Sequence, residues 1–260
     1  LEYRRVKLIE ESFCLFELYM QMRAAWATAN LRTLADDYAS WRGGVMDMMR
    51  RYRDPADRTY VQGRHGNPLW SDGSYSLGYK DGSRMEREYV RHGKPMLEWR
   101  WKHNPGSESD SLPWAEETYD DKSWPSTHVV RDTWSSIGHH FTLTDEASGR
   151  SGRMVYRVTQ KLAALPPGKK AYLWLGATDG KAKLFVNGRH VPYVVPEKTR
   201  SNEAGDVLDA FSGYCKPASF DVTLHLRAGE NQFTFLCDRY HLNELGTGGL
   251  IGPVVLYREK

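Results

Sequence analysis

The first fifty residues carry apolar side chains at the three- and four-residue steps that are typical of α-helices. One stripe runs along residues 4–29 and consists of Val6, Ile9, Phe13, Phe16 and Met20. Further apolar residues widen it beyond one narrow face: Leu8, Leu15, Leu18, Met22 and Trp26. An apolar surface of this width needs packing partners on more than one side. We therefore predict a helix over residues 4–29 that packs on two sides.

A second apolar pattern begins at Leu31 and predicts another helix, which ends near Arg53 because the following Asp-Pro pair disfavours helical backbone. We expect the two helices to form an antiparallel pair. Residues 54–82 are rich in Gly, Asp, Arg and Ser and indicate a linker or surface loop. The segment 84–91 is compatible with a short helix or with a strand.

The stretch 172–191 carries the clearest strand pattern. An apolar run over 172–175 reaches the sequence Gly-Ala-Thr-Asp-Gly, which we interpret as a turn. Alternation then places Ala182, Leu184 and Val186 on one face of a second strand, which ends at the tight-turn pair Asn-Gly at 187–188. We predict a strand, a turn and a half-buried strand.

Other strands are predicted by alternation at 96–101, 153–161, 220–226, 232–238 and 253–257. The inward-facing residues of three of them are Met154, Tyr156 and Val158, then Val222, Leu224 and Leu226, then Phe233, Phe235 and Cys237. The stretch 192–219 is predicted to be long and irregular, and loops of that length are often functional.

Short strands separated by turn signals indicate an antiparallel β-sandwich or jelly roll. The predicted fold is therefore mostly β, with an α-helical amino-terminal segment. We divide the chain into a helical segment and linker at 1–82, in which the helices are the end of a preceding domain, and a β-sandwich at 95–260.

Composition excludes few functional classes. The net charge of +3 over 260 residues, without a basic run interleaved with aromatic residues, does not favour nucleic-acid binding. No apolar run approaches the roughly 20 residues that a membrane span needs. The chain begins at Leu1 inside a helical pattern, so we expect a piece of a longer protein, and its location stays open.

Three cysteines are present, and none forms a CxxC or zinc-type pattern. Cys14 lies in a helical pattern and is expected to be a buried thiol. Cys215 and Cys237 can form a disulfide if their strands adjoin.

Ten segments after residue 95 together resemble the amino-terminal sugar-binding domain of β-galactosidase/β-glucuronidase-type glycoside hydrolases. They are 99–101, 119–125 (YDDKSWP), 132–134 (DTW), 156–157, 173–180 (LWLGATDG), 185–188 (FVNG), 213–214, 217–223, 227–231 and 248–249. The resemblance covers roughly 95–260 and implies a galactose-binding-domain-like jelly roll. Its motifs are mostly structural, and the Asp-Asp-x-Ser-Trp run is expected to hold the sandwich together.

The helical part resembles helices that follow the catalytic barrel in large bacterial carbohydrate-active proteins. This resemblance implies a secreted or periplasmic bacterial parent protein. In β-galactosidase-type enzymes the sandwich precedes the barrel, whereas here it follows helices. The departure puts a direct role in a family active site in doubt.

Glycoside hydrolysis needs two carboxylates that face one scissile bond. The pairs Glu116-Glu117 and Asp120-Asp121 are sequence neighbours, which seldom converge on one bond, and we assign no catalytic residue. The pair His139-His140 is a candidate metal site, although a surface pair of histidines explains it as well. No cofactor is expected.

A structural calcium ion is conceivable at Asp179, Asp206 and Asp209, because related sandwiches bind calcium through loop carboxylates. Their spacing lacks the specificity of an EF-hand loop.

Sugar recognition combines an aromatic surface with polar groups that bind hydroxyls. Loops 132–140 and 238–248 offer both, and we predict a site there if the loops adjoin. Its residues are Trp134, His139, His140, Tyr240, His241 and Asn243. The expected function is a non-catalytic carbohydrate-binding or accessory domain, with the preceding catalytic domain as a partner. The alternatives are a purely structural sandwich or a domain that lends a loop to the active site.

Overall fold

The computed structural model of this chain describes residues 2–52, 73–104, 106–133, 136–137, 152–239 and 248–260. Its first part is helical and its second part is a large antiparallel β-sheet, which confirms the predicted mostly-β class with a helical amino-terminal segment. The helices are α1 (Glu2–Ala27), α2 (Leu34–Tyr52), α3 (Gly73–Glu88) and α4 (Glu108–Ser111), with 3₁₀ turns at Leu112–Ala115 and Thr223–His225.

The strands follow in chain order, and every described ladder is antiparallel. They are β1 (Val90–Arg91), β2 (Glu98–His103), β3 (Ser126–His128), β4 (Gly152–Leu162), β5 (Ala171–Val186), β6 (Arg189–Val191), β7 (Tyr193–Val194), β8 (Val207–Leu208), β9 (Phe211–Asp221), β10 (Gly229–Arg239), β11 (Gly249–Leu250) and β12 (Val254–Arg258).

Strand β5 organises the sheet because its two halves have different neighbours. On one edge its first half pairs with β12 and its second half pairs with β10, while β9 runs along the other edge. The two parts of the sheet face each other across a core, where the rings of Phe220 on β9 and Phe235 on β10 are 6.1 Å apart. An antiparallel β-sandwich fits this arrangement.

The predicted turn at 176–180 is wrong, because β5 is one strand of 16 residues. Register shifts against β9 between Leu175 and Asp179 mark a β-bulge there. A side chain on Gly176 would overlap the ring of Trp26, and Gly180 has a φ of +99° beside the backbone of β10. The glycines therefore allow close approach within a strand, which local sequence does not distinguish from a turn.

Two other features of this stretch are confirmed. Beyond the bulge, the predicted face of β5 is buried in the core between the layers, at Ala182, Leu184 and Val186. Asn187 and Gly188 then form a two-residue turn with φ values of 52° and 75°. The Asn187 side chain donates to the carbonyl oxygen of His225 at 2.9 Å and accepts from the Gln232 amide at 2.9 Å.

Helix α3 overturns the prediction of a loop over residues 73–82. Its glycines are packing positions, because a side chain on Gly78 would meet Trp26 and one on Gly82 would meet Trp174. The Trp174 indole also donates to Asp81 at 2.8 Å. The helices thus cover the outer face of the β12–β5–β9 part of the sheet.

The irregular stretch predicted at 192–219 contains β9, which pairs with β5 along most of its length. The strand predicted at 220–226 ends at Asp221 and gives way to the 3₁₀ turn. Val222 is buried as predicted, whereas Leu224 is 90% exposed because the turn breaks the alternation.

The prediction of a buried Cys14 is wrong, because the structure leaves this thiol exposed. The sequence left the pairing of Cys215 and Cys237 open, and the structure shows them as two free, buried thiols. Cys237 faces the core between the sheet layers, whereas Cys215 faces the helices on the other side of the sheet.

Candidate functional site

The six predicted sugar-binding residues, Trp134, His139, His140, Tyr240, His241 and Asn243, lie outside the described residues. The structure does place the chain beside them. Segment 138–151 leads into Gly152, and segment 240–247 leaves from Arg239. Gly152 and Arg239 are paired in the β4–β10 ladder. Segment 138–151 therefore ends, and segment 240–247 begins, at the same end of the sheet. The predicted loop 132–140 starts instead beside His128 of β3, which is opposite Glu98 on β2, and the β2–β4 register places Glu98 toward the other end of β4.

A cleft of about 250 Å³ lies beside these ends on the outer face of the second sheet layer. Its floor consists of two cross-strand rows, Val155–Leu236–Lys183 and Arg153–Asp238–Lys181. One wall is α4, with Glu108 and Ser111, and the other is the segment 208–210. We call this feature the charged cleft.

An ion pair fixes the outer row of the floor. Arg153 Nε lies 2.8 Å from Asp238 Oδ1, and the Asp238 side chain is 8% exposed. The same guanidinium donates to the carbonyl oxygen of Gly106, which precedes α4. Arg153 therefore links the floor to one wall while Asp238 keeps its orientation.

Lys183 joins the two walls above the inner row. Its ammonium lies 2.6 Å from Asp209 and also donates to Glu108. Burial lowers the pKa of Lys183, but the hydrogen bonds that its ammonium donates to Asp209 and Glu108 outweigh that effect, so its pKa is raised above the ordinary value. The lysine stays charged and holds the cleft in a fixed shape.

A second ion pair, between Arg239 and Asp179, is almost fully buried at the same end of the sandwich. Tyr214 is opposite Asp179 in the β5–β9 ladder and is 46% exposed. Sequence reasoning did not select Tyr214, although it belongs to a segment that carries the family resemblance. It supplies an exposed aromatic side chain at the end of the sandwich that carries the cleft.

Positively and negatively charged side chains line the cleft in equal numbers. Three cations, Arg153, Lys181 and Lys183, face three carboxylates, Glu108, Asp209 and Asp238. Such groups bind hydroxyls as paired donors and acceptors. An uncharged ligand with many hydroxyl groups suits this cleft better than a highly charged one.

Sequence reasoning missed these residues because they come from elements far apart in the chain. One signal was visible in the sequence, the alternation that places Lys181 and Lys183 on the polar face of β5. The residues that form the walls of the cleft follow no recognisable sequence pattern.

The carboxylates considered for catalysis have structural partners. Asp121 accepts from Arg157 at 2.9 Å, and Arg157 is 2% exposed. Glu117 pairs with Arg227 on the surface, which lowers the pKa of that carboxyl through hydrogen bonding.

Among the described residues, no group of three or more His, Cys, Asp or Glu side chains is placed to hold a metal ion. The calcium candidates have other partners. Asp179 pairs with Arg239, and Asp209 pairs with Lys183. Asp206 accepts from the amide of Glu203 at 2.8 Å. The pair His139-His140 lies outside the part of the chain that the structure describes.

None of the described helices is both long and apolar enough to cross a membrane.

No protein-family model matches this chain, and no curated protein matches its sequence. Among solved structures, it is similar to a β-glucuronidase of an uncultured Clostridium sp. (16% identity, TM-score 0.45) and to a β-glycosidase of Bacteroides vulgatus (18% identity, TM-score 0.45). It is also similar to a Faecalibacterium prausnitzii β-glucuronidase (14% identity, TM-score 0.46). These similarities cover 65%, 66% and 66% of this chain.

The chain spans only 29%, 20% and 32% of the lengths of these three structures, in the same order. All three neighbours are glycoside hydrolases by name. Similarity at this level does not assign an activity to this chain.

Proposed function

We propose that this chain is a non-catalytic carbohydrate-binding domain of a larger, glycoside hydrolase-like protein, and that it binds sugar in the charged cleft. In this proposal the sandwich is a galactose-binding-domain-like jelly roll, and the parent is a secreted or periplasmic bacterial protein. The observation that carries the proposal is the position of the cleft beside the paired residues Gly152 and Arg239, where segment 138–151 ends and segment 240–247 begins.

The cleft has the polar half of a sugar site. Asp238 and Arg153 are held by their ion pair, so they can bind hydroxyls without losing much conformational entropy. Val155 and Leu236 in the floor are 1% and 6% exposed, so the C–H groups of a sugar ring need an aromatic side chain from elsewhere. The volume of about 250 Å³ lies below that of pockets for drug-sized ligands and suits one sugar ring.

The predicted loop residues would supply the aromatic half. Tyr240 directly follows Arg239 and is the stacking candidate, and His241 and Asn243 are the candidates for further hydrogen bonds. Stacking on an aromatic ring adds contact area that charged groups do not provide.

Calorimetric titration of the folded chain with a panel of monosaccharides and short oligosaccharides tests the proposal. We expect saturable binding that Asp238→Asn weakens at least tenfold, because truncating a buried hydrogen-bonding charge costs about 2 kcal/mol or more. The matched control is Asp221→Asn, which makes the same change at the end of β9 that lies farther from the cleft and should leave binding unchanged.

Because Asp238→Asn leaves Arg153 without its carboxylate partner, its fold is checked by circular dichroism. Tyr240→Ala is the second variant, and we expect it to weaken binding without changing the ion pairs of the cleft. Binding that is unaffected by both substitutions contradicts the assignment of this site.

A purely structural role is the second candidate, favoured by the burial of aromatic side chains. No tryptophan in the described part of the chain is exposed, and β9 packs against α3. In this case the domain supports the preceding catalytic domain. A folded chain that binds no sugar, but whose removal lowers the melting temperature of the parent protein, would favour this role.

A further inference from the structure

Helix α1 has two apolar seams, and the part of the chain that the structure describes covers one of them. The inner seam faces α2 and leads to Met22 and Trp26, which are buried. The outer seam consists of large apolar residues that are between 49% and 65% exposed: Val6, Ile9, Phe13, Phe16 and Met20. At 3.6 residues per turn, the outer seam lies about 160° around the helix from the inner one. A partner can therefore cover it without displacing α2.

The spacing of the outer seam identifies its partner as a helix. Its residues follow one another at intervals of three, four, three and four, which is the a/d pattern of a coiled coil. A seam of this width is narrower than the apolar face of a helix that packs on a sheet. Position a is occupied by Val6, Phe13 and Met20, and position d by Ile9 and Phe16.

The flanking charges make this seam complementary to itself. Exposed Arg5 occupies position g and exposed Glu10 the following position e, so two parallel copies bring Arg5 of each beside Glu10 of the other. An antiparallel pair would instead bring Glu10 of one copy near Glu17 of the other. Glu10 has only an exposed ion pair with Lys7, at 2.6 Å, to exchange.

We propose that α1 pairs with α1 of a second copy of this chain as a parallel two-stranded coiled coil along the outer seam. Burial of the five seam residues removes on the order of 500 Å² per copy, or roughly 1,000 Å² in total, which is at the lower limit of specific interfaces. The dimer is accordingly weak and reversible, and it dissociates in the micromolar range.

Sedimentation velocity of the 260-residue chain between about 1 and 100 μM tests the pairing. We expect a shift from monomer to dimer, and Phe13→Glu should raise the dissociation constant at least 100-fold because it places two carboxylates in the seam. Leu224→Glu is the matched control, since it replaces another exposed apolar residue far from α1 and should leave the dimer intact. A wild-type chain that stays monomeric at 100 μM overturns the proposal.

Charge reversal tests the orientation without changing the apolar seam. Arg5→Glu or Glu10→Arg alone should weaken the dimer about fivefold to tenfold, and the double variant should restore it, because each single change creates two like-charge contacts. A dimer that is insensitive to all three variants excludes the parallel arrangement. Phe16→Cys in a Cys14→Ser background provides an independent readout, since oxidation should link two parallel copies at the same position.

Discussion

Replacing Arg157 by methionine tests how segment 114–124, which ends in the Asp-Asp-x-Ser-Trp run, is held on the sandwich. The Arg157 side chain is 2% exposed and lies on the outer face of β4. It bonds Asp121 at 2.9 Å, the carbonyl oxygens of Glu116 at 3.1 Å and Tyr119 at 3.2 Å, and the carbonyl oxygen of Trp114. One guanidinium thus joins four positions of the segment to one strand.

Methionine keeps most of the volume of Arg157 but removes every one of these donors. Asp121 loses its buried partner, and breaking such a pair costs about 3–5 kcal/mol. The Asp121 side chain is 20% exposed and gains some hydration. We therefore expect the free energy of unfolding to fall by about 3 kcal/mol, at the lower end of that range, which corresponds to about 1 M in the urea midpoint.

Urea denaturation followed by tryptophan fluorescence measures the effect, since Trp114 and Trp124 pack at 5.7 Å in this segment. The control is Arg227→Met, which removes a surface guanidinium that bonds Glu117 of the same segment and should lower the free energy of unfolding far less, because an exposed ion pair contributes little. If Arg157→Met costs no more than Arg227→Met, the guanidinium does not hold the segment and the reasoning is refuted.

Three further predictions concern the backbone, the pH dependence and the thiols. Gly180→Ala should lower the free energy of unfolding by about 2–4 kcal/mol in urea denaturation, because φ is +99° and the new methyl group would overlap a carbonyl oxygen of β10. The control is Gly168→Ala, in open space at φ +74°, which should cost about 1 kcal/mol. Burial lowers the pKa of His92 and His225 below the ordinary 6.5, so the unfolded chain binds protons that the folded chain does not. The free energy of unfolding should therefore decrease as the pH falls from 7.5 to 5.5. The double His→Gln variant should show a smaller decrease. A thiol reagent should titrate one group, Cys14, in the native chain and three after denaturation, and rapid native reaction of a second thiol would contradict the burial of the other two.

The sequence predicted the elements whose pattern depends on burial alone. Alternation on β4 and β10 placed Met154, Tyr156, Phe233 and Phe235 in the core, where they lie. These residues face one apolar layer, so period two in the sequence becomes one face of the sheet.

Glycines were harder to interpret. At positions 78 and 82 they indicated a loop, yet they lie in α3 against two tryptophan rings. At position 180 a glycine indicated a turn, yet this residue lies within the long strand β5 with a φ of +99°. A glycine signals close approach or unusual φ, and the residue that approaches it comes from elsewhere in the chain.

The charged cleft could not be predicted because its residues come from several separate elements. Lys183 meets Glu108 and Asp209 only after α4 and the segment 208–210 fold over β5. In the sequence these are unrelated charged residues. The positions of Gly152 and Arg239 beside the cleft depend on the pairing of β4 with β10, which the alternation of either strand does not specify.

The most direct test of the carbohydrate-binding proposal is a glycan microarray probed with the folded 260-residue chain. We predict saturable binding to one class of sugar, lost in Asp238→Asn and retained in Asp221→Asn. If the chain binds no glycan on the array, although circular dichroism shows that the sample is folded, the result would contradict sugar binding and favour the structural role.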